Sequence, residues 1–155
     1  MNSVFSHWFM SDQRVTAEQR RFIEERAQGC CEYCGSLARY APQSFAIEHI
    51  VPRSKGGETI LENLALSCPG CNSHKYNKTH GYDPVSGQMT ALYHPRQQNW
   101  CEHFAWNFGC SIVIGLTPTG CATLEILHLN RDCLINLRRL LYARGEHPPQ
   151  KFISK

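Results

Sequence analysis

The sequence predicts an α+β protein: two short strands and a helix clamped between two cysteine pairs, then a mixed C-terminal extension that ends in helix. Three observations carry this prediction. Cys31-x-x-Cys34 and Cys68-x-x-Cys71 share one spacing. Two short β-prone runs lie between them. Near the end, Leu124, Leu127, Leu134, Leu137, Leu140 and Leu141 recur at helical intervals.

Taken in order, Thr16 and Gln19 form a capping-box pattern ahead of the strong helix formers of residues 17–28, and Gly29 is a natural stop. Cys31 to Cys34 makes a tight knuckle. Residues 44–51 (SFAIEHIV) read as a strand ended by Pro52, and 53–60 as a loop in which Gly56-Gly57 takes unusual backbone angles. Asn63 to Ser67 reads as a second strand, and Pro69 opens a helix running to about Lys78. Beyond Gly81, residues 82–87 are turn-rich, 88–109 carry several aromatics, and 111–116 are β-prone. Pro118 to Gly120 predicts a turn. Helix follows from Ala122 to about Arg144, with Asn130 dividing it. The expected organisation is a single domain over 1–155, with a core at about 16–80 and an elaboration over 81–155.

At 155 residues, 42% hydrophobic and 19% charged, the chain has the size and composition of a folded domain rather than a disordered tail. Its net charge of +3 and pI near 8.4 are compatible with a polyanionic partner without pointing to one. Met1 to Arg14 lacks the apolar stretch of a signal peptide, and no apolar run is long enough to span a bilayer. A cytoplasmic location is therefore expected. Nine cysteines cannot all pair within the chain, and in a reducing compartment they imply metal binding or buried thiols.

Two facing CxxC turns make a tetrahedral thiolate cage, which suits a structural zinc held by Cys31, Cys34, Cys68 and Cys71. An iron site on the same ligands is the alternative metal. A redox dithiol needs one CxxC in a βαβ setting, which is absent. Four thiolates close the coordination sphere, so any chemistry has to come from other residues.

Between and after the knuckles lie Glu48-His49, Asn63 and Asn72. The text from Ile47 to Lys75, IEHIVPRSKGGETILENLALSCPGCNSHK, resembles the HNH (ββα-metal, His-Me finger) endonucleases. It carries an acidic-His pair, a Pro, a Gly-Gly loop, an Asn-Leu strand opening and a Cys-Asn at the start of the helix. With the knuckles, the resemblance covers about residues 20–80. It implies a ββα-metal core and hydrolysis of DNA phosphodiesters to 5′-phosphate and 3′-hydroxyl ends. His49 would be the general base, its ring titrating near neutrality. Glu48 and the Asn72 side-chain carbonyl would hold a divalent cation, Mg²⁺ or Mn²⁺, as Lewis acid. Asn63 would orient His49 or its loop. Lys75, one turn from Asn72, and His74 are the expected phosphate contacts.

Two positions depart from the commonest family pattern: Glu48 stands where Asp is usual, and Asn72 makes the triad HNN. Taken singly, each polar residue has an ordinary structural reading: a surface pair at Glu48 and His49, a turn at Asn63, a helix cap at Asn72. A zinc-stabilised module that binds nucleic acid without cutting is the alternative function, and RNA is the alternative substrate. A dimer would let one site serve each strand.

Residues 92–109 (LYHPRQQNWCEHFAWNFG) and the Gly115-Leu116-Thr117 turn resemble an extension of some small bacterial HNH proteins, with Cys121 where that pattern tends to have Arg. Trp100, Phe104, Trp106 and Phe108 are expected in a core. Arg96, Arg138, Arg139 and Arg144 are candidates for a DNA path, with a solvated helix face as the ordinary alternative. Cys101, Cys110, Cys121 and Cys133 lack knuckle spacing and read as buried thiols. No role is assigned to His94, His103 or His128.

Overall fold

The computed structural model describes residues 14–154. Most of the segment read for a signal peptide, residues 1–13, lies outside them. The described residues form a mixed α+β structure with three two-stranded antiparallel sheets and five α-helices. None of the described helices is long and apolar enough to cross a membrane.

Helix α1 (Ala17–Arg26) opens with the expected capping box: Thr16 Oγ1 accepts from Gln19 N at 3.1 Å and Gln19 Oε1 accepts from Thr16 N at 2.9 Å. The first knuckle follows and joins the edge of the first sheet, which pairs β1 (Ala46–His49) with β2 (Leu64–Ser67). The Glu32 backbone N–H donates to Leu66 O, and Leu66 N–H donates to a Glu32 carboxylate oxygen, both at 2.9 Å. That seam sets Cys31 and Cys34 beside the end of β2, where Cys68 caps helix α2 (Pro69–Lys75).

The expected helix to Lys78 stops three residues early. Tyr76 turns out of the helix with φ 49° and ψ −117°, a conformation rare for any residue but glycine.

The stretch 80–91 is more regular than its turn-rich sequence predicts. It is a hairpin of β3 (His80–Tyr82) and β4 (Met89–Ala91), closed by Asp83, which accepts from Val85 N and Ser86 N at 3.1 Å. A short helix α3 (Trp100–His103) leads into β5 (Phe104–Trp106), paired with β6 (Val113–Gly115). Pro118 and Gly120 are not a turn: Thr117 caps Gly120 N, and both residues lie in the first turn of α4 (Pro118–Leu127). His128 to Arg131 breaks the helical run as expected near Asn130, and α5 (Asp132–Ala143) completes it. Buried residues of both halves join in one apolar cluster, from Ile23 and Leu66 to Trp100, Phe104 and Phe152.

Candidate active site and cysteine cage

The second knuckle is built by a local signal. Pro69 begins α2 with no N–H to lose, and Cys68 Sγ accepts from Cys71 N at 3.4 Å, which folds the two sulfurs to one side. The sulfurs of Cys31, Cys34, Cys68 and Cys71 lie within 4.8 Å of one another, and all four residues are buried. Cys34 and Cys68 stand 3.7 Å apart, against an edge of about 3.8 Å for a tetrahedron with zinc–sulfur bonds of about 2.3 Å. The cage fits a zinc ion. It is the only group of three or more such ligands among the described residues, and Cys101, Cys110 and Cys121 are half-buried and Cys133 exposed, not the buried thiols expected.

Sequence reasoning missed the surroundings of this cage. Arg131 reaches from the C-terminal half to set Nη2 at 3.3 Å from Cys68 Sγ and Nη1 at 3.7 Å from Cys71 Sγ. Ser36 Oγ lies 3.0 Å from Cys34 Sγ. A cation beside four thiolates offsets their charge, as hydrogen-bonding partners around metal ligands commonly do. A Cβ on Gly70 would meet the Arg131 guanidinium at 2.5 Å, so any side chain there would displace the guanidinium from the sulfurs. No spacing rule could have found an arginine sixty residues downstream.

The strand alternation of β1 sends consecutive residues to different places. Glu48 turns inward, and its side chain is 4% exposed. One carboxylate oxygen accepts from the Tyr33 hydroxyl, and the other lies 3.2 Å from Lys75 Nζ. Lys75 Nζ also donates to Ile50 O at 2.8 Å and His49 O at 3.4 Å. Burial pushes the Glu48 carboxyl up, while Lys75 and Tyr33 pull it back toward the ionised form.

This geometry bears on the expected phosphate contacts: Lys75 is a buried side chain bound to a carboxylate and two carbonyls. It also bears on Glu48 as a divalent ligand. A cation already occupies that carboxylate, so Glu48 as it stands does not fit a divalent ion, which could enter only by exchange with the Lys75 ammonium.

His49 is half-exposed, and its Nε2 lies 2.9 Å from Thr59 Oγ1. Burial, with the nearby charges of Arg53 and Lys75, holds its pKa below the usual histidine value, so the ring is a neutral base at pH 7. Asn63 stitches the following loop: Oδ1 accepts from Val51 N at 2.8 Å, and Nδ2 donates to Val51 O at 3.0 Å and Glu58 O at 2.9 Å. Gly57 is what lets this loop close, since a Cβ there would sit 1.8 Å from Val51 O. Asn72 is half-exposed on α2, and His74 packs on His128 with ring centroids 4.5 Å apart.

Residues 31–78 match the model of the HNH endonuclease family. The match begins at the first cage cysteine and contains Glu48, His49, Asn63 and Asn72, so the resemblance read from the sequence stands over this HNH segment. No curated protein and no solved structure matches the chain.

The C-terminal arginines divide. Arg96 pairs with Glu32 inside the first knuckle, and buried Arg138 donates to Ser111 O at 3.2 Å and Cys34 O at 3.4 Å. Neither lines a DNA path, because each guanidinium is spent on holding the halves together. Arg139 and Arg144 are exposed, and Arg144 pairs with Glu146. Trp100, Phe104 and Trp106 do enter the core or its edge, whereas Phe108 stands fully exposed at the tip of the β5–β6 hairpin.

Proposed function

We propose that the protein is a nuclease of the HNH type that hydrolyses phosphodiester bonds of DNA, with His49 as general base on a ββα-metal core and a structural zinc in the four-cysteine cage. One observation carries the reading: inside an HNH match, β1 ends on a half-exposed histidine kept neutral at pH 7, just ahead of a loop pinned by Asn63. The neutral ring takes a proton from water, the resulting hydroxide adds to phosphorus, and the P–O3′ bond breaks, the 3′-oxygen taking a proton from solvent to leave as the 3′-hydroxyl. Thr59 Oγ1 fixes the ring orientation. HNH nucleases use a divalent ion, and the half-exposed Asn72 amide offers it an oxygen. Glu48 does not in this arrangement, so no step is assigned through that ion. The shared apolar cluster supports one folding unit over both halves.

The closed Glu48–Lys75 pair favours a second reading, a zinc-stabilised module that binds nucleic acid without cutting. A plasmid assay separates the two. Wild type and His49→Ala, both checked for zinc, are compared with Mg²⁺, with Mn²⁺ and with EDTA. Cutting by wild type alone, dependent on added metal, is the expected result. No cutting by zinc-loaded wild type on single- or double-stranded DNA would overturn the nuclease reading in favour of the second.

A further inference from the structure

We propose that the chain beyond the HNH match builds a subsite for one sugar-phosphate unit of the bound strand, beside the bond that is cut, with His94 as its central phosphate donor. This rests on the nuclease reading. A cavity of about 220 Å³ lies between Ile50, Val51 and Lys75 of the HNH segment and a wall from residues 79–98, which supplies Thr79, His80, Tyr93 and His94. Ile50 and Val51 directly follow His49 in the chain, and Lys75, also in the lining, donates to His49 O at 3.4 Å, which sets the cavity against the backbone of the proposed base.

The lining contains no aspartate or glutamate, and two of its side chains, His94 and Gln98, keep a donor. His94 Nδ1 accepts from Arg96 N at 3.3 Å, so the neutral ring carries its proton on Nε2. Burial keeps this ring below the usual histidine pKa and therefore neutral. Gln98 Oε1 accepts from His94 N at 2.8 Å, which leaves the amide N–H₂ of Gln98 to donate. Lys55 Nζ stands 3.5 Å from Thr79 Oγ1 and brings an exposed ammonium to the cavity's edge. The Lys75 charge is offset by Glu48, so the anion meets neutral donors and Lys55. Leu92 and Tyr93 give the apolar surface a deoxyribose needs. Donors without countercharge beside an apolar wall suit a diester phosphate and its sugar, and neutral side chains commonly supply such positioning contacts.

The test uses the full chain carrying His49→Ala, so that DNA survives. Duplex binding is followed by fluorescence anisotropy at several salt concentrations, with zinc content and thermal midpoint measured for every variant. Adding His94→Ala is expected to weaken binding about tenfold, the loss of one hydrogen bond to a charged group. The salt dependence should not change, because no charge is removed. Lys55→Gln should lower the slope of log K against log salt by about 0.9. Gln88→Ala, an exposed side chain outside the cavity lining, should change neither quantity. His94→Gln, which keeps a donor, should recover part of the loss and guards against a His94→Ala variant that fails to fold. Binding by both folded His94 variants equal to the parent would overturn the subsite. On the His49 background, cutting by wild type with no His94 effect would overturn the subsite alone. His94-dependent binding by a wild type that cuts nothing would overturn the nuclease alone.

Discussion

The HNH segment and the C-terminal segment bury different chemistry. Between residues 31 and 78, the buried set includes four thiols, Tyr33, Glu48, Ser67 and Lys75, groups that are stable inside only when bonded or charge-matched. Between residues 100 and 152, the interior consists of aliphatic side chains around an aromatic cluster, with Ser111, Thr123, Arg138 and His147 as its buried polar groups. The Trp100 ring lies 5.1 Å from Phe104, 5.3 Å from Trp106 and 5.1 Å from Phe152. The aromatic cluster needs only close packing, whereas the HNH segment needs partners, and several of these come from the other half. Trp100 Nε1 donates to Tyr33 O at 2.9 Å, Arg138 to Cys34 O, and Arg131 to the cage sulfurs. A short segment with two four-residue strands has too little apolar area to hold itself, so it leans on its neighbour and on the ion that its cage is proposed to hold.

The largest expected effect tests that dependence. Stripping the proposed zinc with a chelator removes a contribution on the order of 10–16 kcal/mol to the HNH segment. Near-UV circular dichroism of the tryptophans should fall in step with zinc release, because the cage loop carries the acceptor for Trp100. A tryptophan signal that persists after complete zinc loss would break the coupling and show two independent regions.

Next in size is the buried pair. Lys75→Met leaves the Glu48 carboxylate uncompensated in the interior, and Glu48→Gln does the same to the Lys75 ammonium. Each should destabilise by about 3–5 kcal/mol in urea titrations of zinc-loaded protein. The double variant should recover most of that loss. Equal additive losses would show that the two residues act separately. Unchanged stability in Glu48→Gln, with loss of metal-dependent cutting, would restore Glu48 to the role of divalent ligand.

The smallest effect belongs to the C-terminal side. His147 Nε2 donates to Cys110 O at 2.8 Å, its ring stands edge-on to Trp106, and burial brings its pKa down to about 4. The unfolded chain, with a histidine near pH 6.5, binds more protons between those values. Its contribution is therefore complete above about pH 6.5 and is lost as pH falls toward 4. The thermal midpoint of wild type should drop more steeply through this window than that of His147→Gln. Parallel curves would show that His147 is not the titrating group.

Much of the HNH segment was legible because its signals are local. Thr16 and Gln19 are three residues apart, Pro69 sits at the opening of its own helix, and each CxxC closes within one turn. The division of the final helices near Asn130 was equally visible, from periodicity on either side. The hairpin at residues 80–91 was not, since its strands are three residues each and too short to show an alternation. Pro118 and Gly120 misled for a related reason: a proline and a glycine mark turns and helix starts alike, and Thr117 resolves the two only through its bond to Gly120 N.

The sequence by itself determined the four-cysteine cage, the order of the strand–strand–helix unit and the chemical types of its polar residues, because all of these follow from spacing along the chain. Tertiary structure alone decided which polar groups face solvent. It turned Glu48 inward and His49 outward on one strand, sealed Lys75 against Glu48, and brought Arg131 to the sulfurs and His94 to the cavity beside Ile50. Those outcomes depend on which distant segments pack together, and burial sets both the charge a group keeps and the partner it can meet.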